Sequence, residues 1–167
     1  MGAVDAGLQW AWAASQQVRR LRYHERALLC DEDEQPGGRS RFLALRSDAE
    51  LCMLALSNLA RVLDELTPAT GRWPSGEAPV DLVEAISTLR EAVPTGRAVR
   101  RRDVIRRSAA VIDLRDDPRR CTFGPEGTRV AGLGLDELGS VLEPVLAFFS
   151  TLESSGFAFD GWRAVGR

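Results

Sequence analysis

The chain has 167 residues with 22 basic and 24 acidic side chains, a formal net charge of −2, and every one of the 22 basic residues is arginine. Its 44% hydrophobic and 28% charged content excludes wholesale disorder, and the near balance of charge excludes a protein that holds nucleic acid by net charge alone. The lack of lysine excludes Schiff-base catalysis and a P-loop.

The first segment, residues 3–30, is predicted to be a long helix rich in alanine, leucine and arginine. Trp10, Ala14, Val18, Leu21 and Leu28 fall in one stripe and mark the buried face. Trp12, Arg19, Tyr23 and Arg26 line the opposite side, which reads as a surface or interface seam with arginines beside aromatic rings. The acidic run Asp31 to Glu34, followed by Pro36-Gly37-Gly38, opens a loop expected over about 31–46.

A second helix is expected to start at Ser47-Asp48-Ala49-Glu50, read as a capping box. Leu51, Leu54, Ala55, Leu59, Val62 and Leu66 would form its apolar face, widened by Met53, Leu56 and Leu63. Asn58 intrudes on that face and is expected to hydrogen-bond a neighbouring helix. Residues 67–78 read as a Pro/Gly/Ser loop carrying Trp73. A third helix should begin at Pro79, bury Leu82, Ile86, Leu89 and Val93, and stop at Pro94. A fourth is expected over residues 97–114.

A β-hairpin is predicted over about 119–133, turning at Gly124-Pro125-Glu126-Gly127, with Gly132-Leu133-Gly134 as the connection into the last helix. That helix should run from Leu135 to Ser154, with Leu138, Val141, Leu142, Val145, Phe148, Phe149 and Leu152 inward and Pro144 kinking it. Phe157 to Trp162 would be an aromatic tail lying over the core. The fold class is therefore mainly α, a bundle of four or five helices with a small β-hairpin before the last, as a single domain over 1–167.

Chemistry is sparse. Cys30, Cys52 and Cys121 are odd in number and scattered, so neither a disulfide framework nor, with one histidine, a structural zinc site is expected. No cofactor is implied. Thiols without a disulfide pattern and the absence of a basic N-terminal start point to a cytoplasmic protein. No apolar run approaches the roughly 18 residues of a membrane span. Arg97, Arg100, Arg101, Arg102, Arg106 and Arg107 place six positive charges in eleven residues, readable as an anion or nucleic-acid surface or as a solvated helix face.

The stretch Asp48-Ala49-Glu50-Leu51-Cys52-Met53-Leu54-Ala55-Leu56, with Leu89-Arg90 and the Phe123-to-Gly127 hairpin, resembles a group of small helical proteins of high-GC bacteria. That group looks like the HEPN class of helical bundles, some of which cleave RNA without metal. The resemblance implies an arginine followed four to six residues later by histidine. After Leu89 the histidine is missing, because Arg90 is followed by Glu-Ala-Val-Pro-Thr; Arg19 and His24 meet the spacing in the first helix instead. Histidine would act there as general acid/base, with arginine stabilising the phosphorane.

Three functions stay open on these residues. The leading one is non-catalytic protein–protein interaction, with self-association through an aromatic or arginine-bearing face. The second is a HEPN-like ribonuclease using Arg19 and His24. The third is a small-molecule site or biosynthetic enzyme, with His24, Glu25 and Asn58 around one pocket.

Overall fold

The computed structural model describes residues 3–30, 38–66, 79–93 and 121–154. The order of elements is α1 (Ala3–Cys30), α2 (Gly38–Leu66), α3 (Val80–Ala92), β1 (Cys121–Gly124), β2 (Gly127–Val130), β3 (Leu133–Gly134) and α4 (Leu135–Ser154). The chain is mainly α, with a small antiparallel sheet of order β1-β2-β3 immediately before the last helix. The helix expected over 97–114, its arginine cluster, the acidic run, the Trp73 loop and the aromatic tail all lie outside the described residues.

The helices close into a ring: α1 packs on α2 and α4, and α3 packs on α4 and on α2. α1 and α2 run antiparallel, because the seven residues between them can reach at most about 28 Å while α1 itself is about 42 Å long. One cluster of buried side chains fills the centre, including Val18 and Leu21 of α1, Leu56, Leu59 and Leu63 of α2, Leu82 and Leu89 of α3, and Leu138, Leu142, Val145 and Phe149 of α4.

Two faces are as the sequence implied. In α3, Leu82, Ile86, Leu89 and Val93 are buried, and the first helical bond runs from Val83 N–H to the Pro79 carbonyl at 3.1 Å. In α4, Leu138, Leu142, Val145, Phe149 and Leu152 are buried, while Val141 and Phe148 pack at the margin of the core.

α2 corrects the sequence reading twice. It starts at Gly38, nine residues before Ser47, so residues 38–46 are helix and Ser47 caps nothing. Arginine, leucine and alanine in residues 39–46 favour helix, and burial of Leu45 fixes that first stretch to the core. Glu50 pairs instead with Arg46 one turn earlier, at 3.5 Å. The buried face is also only in part the expected one. Met53, Ala55, Leu56, Leu59, Val62 and Leu63 are buried as the pattern implied and Leu45, Ala49 and Cys52 join them, whereas Leu51 and Leu54 stand 46% and 42% exposed. With leucines on both sides of this helix, apolar periodicity alone does not choose between them.

The sheet is tightly turned. β1 and β2 pair from Cys121↔Val130 to Gly124↔Gly127, leaving Pro125 and Glu126 at the tip. The hairpin expected over 119–133 is interrupted at Ala131-Gly132, where φ is +55° and +79°. Positive φ at both central positions is what a two-residue type I′ hairpin requires, and it sends β3 back along β2 and straight into α4.

Candidate functional site

Asp48 is the one buried acidic side chain among the described residues, and it organises the α1–α2 seam. It lies on the flank of α2 that faces α1. Its Oδ2 sits 3.2 Å from His24 Nε2 and 3.3 Å from Arg20 Nε, ion-pair distances whose directions are not those of hydrogen bonds. Arg20 and His24 are four residues apart on α1, so they share a face and converge on one carboxylate. The Asp48 side chain is 5% exposed, His24 19% and Arg20 62%, so the carboxylate is in the protein and the guanidinium in water. The edge of the Tyr23 ring meets the His24 imidazole, with centroids 5.5 Å apart.

Below Asp48 lie two thiols. Cys52, one turn further along α2, is fully buried, and Cys121 of β1 points its Sγ at the Ala49 carbonyl, 3.9 Å away. Burial, then proximity to Cys121, then the Asp48 carboxylate push the Cys52 thiol from 9.0 up to about 12. It is therefore protonated at neutral pH and a poor nucleophile. Among the described residues no group of three or more His, Cys, Asp or Glu side chains is arranged to hold a metal ion.

The structure separates the side chains that sequence spacing had grouped. Arg19 and His24 are five residues apart, which turns them about 140° from each other around α1. Arg19 is exposed on the outer side with Tyr23 and Arg26, and Arg20 takes the place beside His24. Glu25 turns away from His24 and accepts a short hydrogen bond from the Thr128 amide of β2. Gly127, at φ +98°, belongs to the same contact: a Cβ there would stand 3.2 Å from Glu25 Oε1. Asn58 lies about 15 Å along α2 from Asp48. It donates to the Leu54 carbonyl at 2.9 Å and accepts from Arg61 at 3.2 Å, so it bonds within its own helix and not to a neighbouring one. His24, Glu25 and Asn58 thus do not line a common pocket. Arg90 is held by Asp64 at 2.9 Å and ties α3 to α2.

No protein-family model matches the chain, and no curated protein or solved structure matches it either.

Arg20 and Asp48 are members of this cluster that the sequence pattern did not single out. Spacing could have found Arg20, since only i,i+3 and i,i+4 neighbours meet on a helix surface. Asp48 carried no such signal, because it sat inside a pattern that also describes a helix start.

A second polar cleft, of about 420 Å³, lies between α1, the hairpin and the start of α4. Arg22 crosses it, donating to the Leu135 carbonyl at 3.1 Å and pairing with Asp136 at 2.9 Å. Its walls mix Arg26 and Arg129 with Glu25, Glu126 and Glu137, so neither sign of ligand charge is favoured. No helix among the described residues is long and apolar enough to cross a membrane.

Proposed function

We propose that this chain is a non-catalytic helical-bundle protein that acts by protein–protein association, including association with itself. The observation that supports this most is the outer face of α2. Leu43, Leu51 and Leu54 are 55%, 46% and 42% exposed on a helix whose opposite face is already buried. They lie within about 80° of one another at 100° per residue, a leucine strip interrupted by Ser47 that the described residues leave exposed. Tyr23, 71% exposed on α1, with Arg19 and Arg26 beside it, adds the aromatic and arginine character common at interfaces. The Asp48 cluster supports the same reading, since its carboxylate is spent on joining two helices.

Sedimentation of the wild-type chain over a concentration series tests this. Self-association is expected, and Leu51→Glu with Leu54→Glu should abolish it with helix content unchanged. A wild-type chain that stays monomeric throughout, or a variant that associates equally well, would overturn the self-association reading.

One observation favours a second reading, metal-independent RNA cleavage of the HEPN kind. His24 lies 3.2 Å from a buried carboxylate and beside an exposed guanidinium, groups of the kind that accompany an imidazole acting as general acid/base. In that reading Arg20 takes the role expected of Arg19. Cleavage of RNA in the presence of a chelator, lost in a folded His24→Ala variant and retained in Arg19→Ala, would establish it. An intact substrate under those conditions would end it.

A further inference from the structure

Helix α2 carries a second pattern besides the one that fills the core. Positions 40, 44, 47, 51, 54, 58, 61 and 65 recur at alternating steps of four and three residues. At 100° per residue they fall within about 100° of one another, on the side of the helix turned away from the core. Ala44 and Asn58 are half-buried there and the others are exposed. Alternating steps of four and three are the spacing by which one helix lies along another. The set also reads the same from either end, about a point midway between residues 52 and 53.

We propose that this face packs against the same face of a second copy, the two α2 helices running antiparallel about a two-fold axis at that midpoint. The assignment rests on the self-association proposed above and gives it a surface and a direction. The axis sets Leu51 opposite the partner's Leu54, so that leucines meet at the centre of the seam. On either side a small residue meets a longer one: Ser47 lies opposite the partner's Asn58, and Ala44 opposite the partner's Arg61. At each end Ser40 falls opposite the partner's Glu65. The neighbouring Arg39, exposed like Glu65, then stands within about 1.5 Å of level with that carboxylate. A parallel pairing would set every residue against its own copy, with Arg39, Arg61 and Glu65 each facing a like charge. Charge therefore selects the antiparallel direction, and the three-residue gap between Leu51 and Leu54 selects the register.

Cross-linking of the full chain tests the direction and register. Ser47→Cys and Asn58→Cys are made as separate variants, mixed in equal amounts and oxidised with glutathione disulfide, and the linked peptides are identified by mass spectrometry. Antiparallel pairing should join position 47 of one chain to position 58 of the other. Like positions should stay unjoined, since they stand about 16 Å apart along the seam, beyond the roughly 7 Å that a disulfide spans between Cα atoms. A 47–47 or 58–58 link would overturn the antiparallel arrangement and leave self-association standing. Absence of all three links in a mixture that sediments as a dimer would place the association on another face. A wild-type chain that stays monomeric would overturn both this pairing and the reading beneath it. A charge exchange provides a second measurement. Arg39→Glu or Glu65→Arg alone should weaken association about threefold, and the two in one chain should restore it. A doubly substituted chain no tighter than either single variant would overturn the pairing.

Discussion

On its α4 side, helix α1 presents a glycine to an aromatic ring: a Cβ on Gly7 would overlap the Phe149 ring, so the two helices meet as closely as backbone and ring allow. On its α2 side the same helix presents Arg20 and His24 to a buried carboxylate. Around Gly7 the first seam is apolar and specified by volume, whereas around Asp48 the second is polar and specified by pairing. Interior packing rewards the close approach directly, through many small dispersion contacts and loss of apolar surface to water. A buried ion pair contributes little net stability, because desolvation offsets attraction, but it penalises any arrangement that leaves the carboxylate alone. The Gly7–Phe149 contact therefore contributes through close packing, and the Asp48 contact through the cost of leaving its carboxylate without Arg20 and His24.

The largest expected effect comes from emptying the apolar seam. Phe149→Ala should cost about 3–5 kcal/mol, seen as a lower denaturation midpoint with little change in slope. Gly7→Ala tests the same seam from the other side. It should cost about 1–3 kcal/mol even though alanine is the better helix former, since its methyl would overlap the Phe149 ring. A neutral or stabilising Gly7→Ala would show that the seam is looser than described.

The polar seam should behave differently. His24→Ala is expected to cost about 1–3 kcal/mol by leaving Asp48 with Arg20 alone. Asp48→Leu should cost less than His24→Ala, and combining the two should cost less than their sum. Additive losses in that cycle would mean that His24 and Asp48 do not act as a pair.

The smallest effect at ordinary pH concerns Cys52. Its thiol titrates near 9 when unfolded and near 12 in the native state, so between those values the unfolded chain binds fewer protons and stability falls as pH rises. Below pH 9 the group contributes no slope. The chain has no lysine to titrate in that window. Denaturant midpoints measured from pH 8 to 11 should fall in the wild type and fall less in Cys52→Ala.

Legibility followed locality. Val80–Ala92 and Leu135–Ser154 were readable because proline or glycine marks their ends and one apolar stripe marks their inner face. α2 was misread at Ser47, where a capping pattern occurs by chance inside a longer helix, and at Leu51 and Leu54, where leucine occurs on both faces. The site was less legible still. Arg19 with His24 satisfied a spacing, but helical rotation puts Arg20 beside the imidazole.

By itself the sequence determined the class of fold, the two well-punctuated helices, the hairpin and, through the absent lysine and scattered cysteines, the chemistries that no arrangement could supply. Those properties are composition and short-range pattern, which backbone geometry converts directly into elements. Only the tertiary structure decided which side of α2 faces inward, that Asp48 is buried against His24 and Arg20, and that Glu25 serves the hairpin. Each depends on where a neighbouring helix or strand sits, and burial, unlike periodicity, is a property of the pair.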